Sequence, residues 1–273
     1  MTDLWKTIVL GIVEGVTEFL PISSTGHLVL CEHWMGIDLS RDFWKTFTVF
    51  IQIGAIAAVV VYFRRRIAEL IRGSLWADRP ASSPLALILL ATVPVLVVGF
   101  LAHKWVEANL ESAFPIAMAL LIGGVVMLAV EWLRPQARAH SIEQMTLTQA
   151  LLVGGFQVLS AVFPGTSRSA ATIVGGMVVG LSRHAAAEFS FFLAIPSMSA
   201  AAAYSLLKLV TNGQHVAARE WLLLLIGTLV SYLVAWAVIA AFMAWIRRHS
   251  FVPFGVYRLV LAGFVLWVLR GQG

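Results

Sequence analysis

The chain has one cysteine in 273 residues. Cys31 therefore has no partner for an intramolecular disulfide, and no CxxC or thiolate-zinc spacing exists. Charge is scarce too: 12% of the residues are Asp, Glu, Lys or Arg, against 60% hydrophobic. Soluble domains carry about twice that share of charge, so a soluble globular fold is excluded. Acids are the scarcer sign, 14 against 19 basic residues, for a formal net charge of +5. A basic balance is also a footprint of nucleic-acid binding. Here, however, arginines cluster between apolar runs, the pattern that orients a chain in a bilayer. No nucleic-acid partner is expected. Nor is a cleaved signal peptide: the chain opens Met-Thr-Asp, and Glu14 and Glu18 interrupt its first apolar stretch with no small-residue cleavage site after it.

What is abundant suits lipid. Ten Trp and sixteen Phe fit a lipid-facing surface with interfacial anchors. The fold class read from this is an all-α polytopic membrane protein. Residues 4–30 are apolar but broken at Pro21. Neither piece reaches the roughly 20 residues that a span needs, so they read as a re-entrant pair of half-helices. Such broken backbone is tolerated only inside protein or against a wet cavity. Gly11 and Gly15 are spaced for close helix approach. Full spans are expected at 46–63, at 85–101 with a kink at Pro94, and at 116–133. A basic loop carrying Arg72 and Arg79 and a loop at 102–115 with His103, Lys104, Glu107 and Glu111 join them.

The second half repeats this plan, with a broken segment at 149–182 and spans near 187–208, 221–245 and 254–270. A shift of 143 places Gly11 on Gly154, Glu14 on Gln157, Thr17 on Ser160, Pro21 on Pro164, Ser23 on Thr166 and Ser24 on Ser167. The expectation is a single membrane domain over 1–273, made of one repeat at about 1–135 and another at about 145–273. Each repeat has one re-entrant helix pair plus three transmembrane helices. An odd number of crossings inserts the second upside down, an inverted-topology repeat whose functional sites lie where the broken segments meet. Arg64, Arg65, Arg66, Arg72, Arg79, Arg134, Arg138, Arg247 and Arg248 fall on one side, which the positive-inside bias makes cytoplasmic. Lys6, Arg41, Lys45, Lys104, Arg219 and Arg270 fall on the other.

The chemistry lies in the two breaks. Glu14 and Glu18, four residues apart, share a helix face. Each costs about 2.5–3.5 kcal/mol to insert into hydrocarbon, so use is the natural explanation. They can hold a divalent cation or do acid–base work; a buried ion pair with Arg168 is compatible with either. Ser24 and His27, at i and i+3, can face the same way, so the imidazole can take the hydroxyl proton. The plain structural alternative is N-cap chemistry. The second break, Pro164-Gly165-Thr166-Ser167-Arg168-Ser169, reads as a loop entering a helix, with Thr172 one turn on. Its backbone N–H groups and the Arg168 fork make a place for phosphate; the alternative is a Ser/Thr cap with an arginine reaching the headgroups. The first break holds acids and an imidazole, the second a guanidinium, and neither has the full set.

The string Glu-Gly-Val-Thr-Glu-Phe-Leu-Pro-Ile-Ser-Ser-Thr-Gly-His at 14–27, with Pro-Gly-Thr-Ser-Arg-Ser at 164–169, resembles the undecaprenyl-diphosphate phosphatase family, also called bacitracin-resistance proteins. The likeness runs the length of the chain, through Phe189-Ser-Phe and Arg247-Arg248 to Phe251-Val-Pro-Phe; Ala170 stands where the family pattern has Gly. The resemblance implies a bacterial inner-membrane hydrolase that removes the terminal phosphate of undecaprenyl diphosphate, using Mg2+ or Ca2+. It implies catalytic roles for Glu14, Glu18, Ser24, His27 and Arg168, with Glu14 and Glu18 on the metal. Ser23, Thr25, Gly165, Thr166, Ser167, Ser169 and Thr172 are, on the same resemblance, the expected substrate contacts. The nucleophile is Ser24 or an activated water, and the base His27 or Glu18. The partners are a polyprenyl diphosphate lipid and the bilayer, with a homodimer compatible. The headgroup site is expected to open to the periplasmic face. A polyprenyl-phosphate flippase is the principal rival, because inverted repeats are a transporter plan. An intramembrane serine protease has no use for Arg168 or the paired acids.

Overall fold

The computed structural model describes residues 2–37, 42–75, 83–110, 112–133, 136–211 and 217–270. Arg41, Arg79, Glu111, Arg134 and Pro135, which the sequence places in connectors, lie outside them. The described residues form eleven α-helices and no β-sheet. They are α1 (Thr2–Thr17), α2 (Ser24–Trp34), α3 (Asp42–Tyr62), α4 (Arg64–Leu75), α5 (Pro84–Asn109), α6 (Ala113–Leu133), α7 (Leu147–Val162), α8 (Arg168–Val178), α9 (Arg183–Thr211), α10 (Ala218–Ile246) and α11 (Val252–Arg270). A short 3-10 turn, Ile142–Gln144, precedes α7.

Five helices, α5, α6, α9, α10 and α11, are long and apolar enough to cross a membrane, and the α3–α4 pair, bent by 71°, makes a sixth candidate. The chain is a multi-pass membrane protein. Its outward surface is apolar, with Leu89, Phe100, Leu225, Val260 and Trp267 all exposed. Its interior is aromatic: Phe19, Phe63, Phe189, Phe191, Phe192, Phe242 and Phe251 pack into one core.

Two connectors differ from the sequence reading. The stretch after Tyr62 is not a basic loop; it is helix α4, which carries Arg72. Its arginine run hides an amphipathic helix whose Leu70 is buried, with Ile67 packed against the core. The segment after residue 101 is also helical, because α5 runs through Pro94 and on to Asn109.

The closest helix contacts come in matched sets. α1 packs on α10 as α7 packs on α5; α3 lies along α10 as α5 meets α9; α6 pairs with α11. The glycines explain the tightness. A Cβ on Gly15 would lie 2.8 Å from the Ser231 carbonyl oxygen of α10, and one on Gly154 would lie 2.2 Å from the Ala91 carbonyl oxygen of α5. Only a residue without a side chain allows the backbones to meet at that separation.

Candidate active site

The breaks at Pro21 and Pro164 produce two tips of the same construction. Helices α1 and α7 have 16 residues each, and the helices after the breaks, α2 and α8, have 11 each. Each second helix is capped by a serine, Ser23 or Ser167, whose Oγ accepts from the amide three residues on, Gly26 or Ala170, at 3.3 Å in both. Both serines have positive φ, 75° and 71°. That conformation costs on the order of 1–3 kcal/mol for a residue with a side chain and concentrates at functional sites. Gly165, at φ 93°, turns the second tip.

The caps correct the sequence alignment. Ser23 corresponds to Ser167, a shift of 144 in place of 143. Ser24 therefore stands opposite Arg168 and not opposite Ser167, and Thr25 stands opposite Ser169 and not Arg168. The cause is the turn itself: two residues, Gly165 and Thr166, stand between Pro164 and its cap, where Ile22 alone stands between Pro21 and Ser23.

The tips meet. Ser169 Oγ at the start of α8 donates to the Leu20 carbonyl of the first tip at 2.8 Å. Arg168 Nη2 reaches Glu18 Oε1 at 3.4 Å, and Ser24 Oγ donates to Glu18 Oε2 at 2.6 Å. Glu18 thus links the hydroxyl of one tip to the guanidinium of the other. Arg168 is held from behind by the Ser190 carbonyl at 2.9 Å, and its guanidinium carbon lies 5.5 Å from the centre of the Phe19 ring. Its Nε, buried, has no hydrogen-bond partner.

His27 sits beside this chain with different partners. Its Nδ1 donates to the Ser23 carbonyl at 2.7 Å, and Tyr257 Oη, on α11, donates to Nε2 at 2.7 Å; a carbonyl can only accept, which fixes the ring tautomer. The hydroxyl of Ser24 is therefore committed to Glu18 and the imidazole to Tyr257. The remaining contact candidates divide by burial. Thr25 is exposed, while Thr166 and Ser167 are half-buried. Ser169 and Thr172 are fully buried, Thr172 Oγ1 bonding to the Arg168 carbonyl and to Ser190 Oγ at 2.8 and 2.7 Å. These two hydroxyls hold the tip in shape.

Glu14 is wholly buried, and neither of its carboxylate oxygens has a hydrogen-bond partner; its charged neighbours are Glu18 and Arg168. The same is true of Gln157 Oε1 on α7, which is buried and unpartnered. Buried oxygens without donors are what a hard divalent cation requires. Among the described residues no cluster of three or more His, Cys, Asp or Glu side chains forms a closed metal cage. The donor set fits a cation of the magnesium type, held by one or two carboxylates and completed by substrate oxygens and water.

Arg258, on α11, was visible in the sequence only as a polar residue in a span. It is fully buried. Its donors reach the carbonyls of Leu120 at 3.4 Å and Ala119 at 3.0 Å on α6, Pro21 at 3.4 Å on the first tip, and Gly165 at 3.4 Å on the second. One side chain thereby ties both breaks to a spanning helix. Tyr257 and Arg258 are adjacent, and that polar pair inside an apolar helix was the available signal.

Residues 7–264 match the family model for bacitracin resistance protein BacA. The chain belongs to that family. It is 44% identical over 276 residues to an undecaprenyl-diphosphatase of Koribacter versatilis, covering 96% of each chain. It is 46% identical over 270 residues to one of Sorangium cellulosum, covering 97% of this chain and 86% of that one. With one from Wolinella succinogenes it shares 41% over 269 residues, 98% of each. The motif at 14–27, the motif at 164–169 and Arg258 all lie within the matched region.

Proposed function

We propose that this BacA-family chain hydrolyses undecaprenyl diphosphate to undecaprenyl phosphate and inorganic phosphate, recycling the lipid carrier of cell-wall synthesis and so raising resistance to bacitracin. The observation that carries the reading is the Ser24–Glu18–Arg168 chain across the two tips. It places a hydroxyl, a base and an anion-binding fork in contact, where neither tip alone has all three.

In this mechanism Arg168 presents its free Nε to a diphosphate oxygen, and the amides at the start of α8 face the same group. Glu14 and Glu18 would hold a divalent cation, which would supply positive charge to offset that of the diphosphate. Ser24 Oγ attacks the terminal phosphorus while its proton passes to Glu18 Oε2, the atom it already bonds. The bond from phosphorus to the bridging oxygen breaks, and undecaprenyl phosphate leaves with the electron pair. Glu18 passes that proton to the departing undecaprenyl phosphate. Water then attacks the phosphoserine and gives one proton to Glu18, which returns it to Ser24 Oγ as the P–O bond to serine breaks and inorganic phosphate leaves. If water is itself the nucleophile, Glu18 takes its proton and Ser24 positions it. His27, paired with Tyr257, fixes the turn that presents Ser24.

The membrane plan follows the matched contacts. Two repeats, about 1–135 and 145–273, form one domain, each with a re-entrant pair (α1–α2 or α7–α8) and three spans. The support is the equal lengths, the two positive-φ caps and the paired packing of α1 on α10 and α7 on α5. The arginines of α4 and the α10–α11 turn support a cytoplasmic location for those ends by the positive-inside bias; in this reading the headgroup site opens outward from the inner membrane and the prenyl tail lies in lipid.

The test is phosphate release from undecaprenyl diphosphate by purified, detergent-solubilised protein with magnesium or calcium. Release that is lost in Ser24→Ala and Glu18→Gln supports the proposal. No release by the wild-type protein overturns it. The matched packing also suits a flippase, and that reading alone would leave the detergent assay silent while lipid movement persists in vesicles.

A further inference from the structure

At the far end of α8 from Arg168, a cavity of about 540 Å3 opens between the start of α9 and the α10–α11 turn. Met177 in its wall stands nine residues along α8 from Arg168, about 14 Å of helix, so the cavity is separate from the tips. Its polar lining is Ser182, Arg183, His184, Arg247, Arg248 and His249. Among the described residues no carboxylate lines it.

The acids near this end are already engaged. Arg66 binds Glu143 and Glu188 at 2.8 Å each, and Glu131 takes the fork of Arg183 while accepting from the Phe251 amide. Arg247 and Arg248, by contrast, have no carboxylate partner among the described residues. His249 is held in place by stacking on Trp245 and by its Nδ1 donating to the Trp245 carbonyl at 2.9 Å. Unneutralised guanidinium forks around a concavity of ligand size are the chemistry of a phosphate site. The apolar side chains of Leu181 and Ile246 share the wall, so the cavity can seat a headgroup with glycerol or acyl carbons attached.

The geometry points to a second anion site, at the opposite end of α8 from the candidate active site, that takes a phosphate-bearing group: the headgroup of an anionic membrane lipid, or free phosphate. This site does not depend on the reaction proposed above.

The test uses the full chain in detergent, with phosphatidylglycerol followed by native mass spectrometry and inorganic phosphate followed by thermal stabilisation. Three proteins are compared: wild type, Arg247→Gln/Arg248→Gln, and Arg64→Gln/Arg65→Gln, whose arginines lie outside the cavity. If lipid fills the site, the first double variant binds phosphatidylglycerol about thirtyfold more weakly, from two lost charges, and the second stays near wild type. If the source is free phosphate, stabilisation by inorganic phosphate disappears in the first double variant only. Equal losses in both variants, or no loss in either, overturn the site, because a general surface potential or none at all would then explain the arginines. Arg248→Gln alone, with an intermediate loss expected, repeats the comparison should the double variant melt early.

Discussion

The two tips have the same skeleton and opposite chemistry. Both break after a 16-residue helix, both cap the next helix with a positive-φ serine, and both caps accept from the amide three residues on. Yet the first tip presents Glu14, Glu18 and His27, and the second has Gln157, Ala161 and Ala171 at the matching places and Arg168 opposite Ser24. Equivalent backbones supply the geometry; divergent side chains supply the two halves of the proposed reaction. The lesson is that the common scaffold and the separate charges can be broken independently.

The largest effect expected is from Glu18→Gln, which removes the carboxylate that Ser24 bonds, the proposed proton acceptor and proposed cation ligand. Phosphate release should fall by about 10²–10⁴-fold, the usual range for a lost general base, and its metal and pH dependence should change; an unaltered profile would remove Glu18 from the chemistry. Arg168→Lys breaks the other tip. It keeps the charge and loses the planar fork, and about 10²-fold lower kcat/KM is expected, with KM rising. A wild-type KM would count against the fork.

Arg258→Met attacks what the tips share. Four buried carbonyls lose a charged donor, at roughly 1–3 kcal/mol for each one left unsatisfied. Melting temperature and activity should fall together, where Glu18→Gln and Arg168→Lys lower activity alone. A melting temperature equal to the wild type's would show that the clamp does not hold the tips. Ser23→Ala and Ser167→Ala each remove one cap bond and should cost about 1 kcal/mol of stability. The caps are built alike but Ser167 Oγ also bonds Ser169 Oγ at 3.0 Å, so Ser167→Ala is expected to lose at least as much as Ser23→Ala, and the reverse order in thermal unfolding would break the equivalence of the tips.

The smallest effect lies in the connector between the halves. Burial alone would push the Glu143 carboxyl up, but the hydrogen bonds and charge of Arg66 outweigh it and hold the group below the usual carboxylate range. A depressed folded pKa contributes stability that is present above the unfolded value and lost as pH falls through the folded one. Thermal unfolding measured on the acid side of pH 4.5 should therefore show a shallower stability loss in Glu143→Gln than in wild type. The difference will be modest because the pair is partly exposed and solvent-screened. Parallel pH curves would remove this bond from the connector's contribution.

Much of the fold was legible in the chain. Apolar run lengths give the spans, and the prolines with their polar followers mark both breaks, because bilayer thickness and backbone hydrogen bonding leave few other solutions. The candidate site was legible as a list of residues and not as a set of contacts. Ser24 and His27 have helical spacing for each other, but Glu18 lies 2.6 Å from the hydroxyl and Tyr257 lies 2.7 Å from the imidazole, and a partner 230 residues away leaves no periodic trace. Helix α4 was hidden because three consecutive arginines outweigh Ile67 and Leu70 in any reading by composition. The alignment of the caps was missed by one place because the second turn has one more residue between its proline and its cap, Gly165-Thr166 against Ile22, and both turns carry hydroxyls that can be matched either way.

The burial of Arg258 has one more consequence. With Glu14 and Glu18 formally negative, Arg168 and Arg258 formally positive, and His27 and Tyr257 uncharged as the imidazole tautomer requires, the ionisable groups named around the tips sum to electroneutrality. A vestibule balanced in this way can rest in a low-dielectric slab without an escort of salt. The same balance leaves nothing in surplus for a multiply charged visitor, so the proposed cation and the diphosphate headgroup should enter as a complex, and apparent substrate affinity should track the free cation concentration.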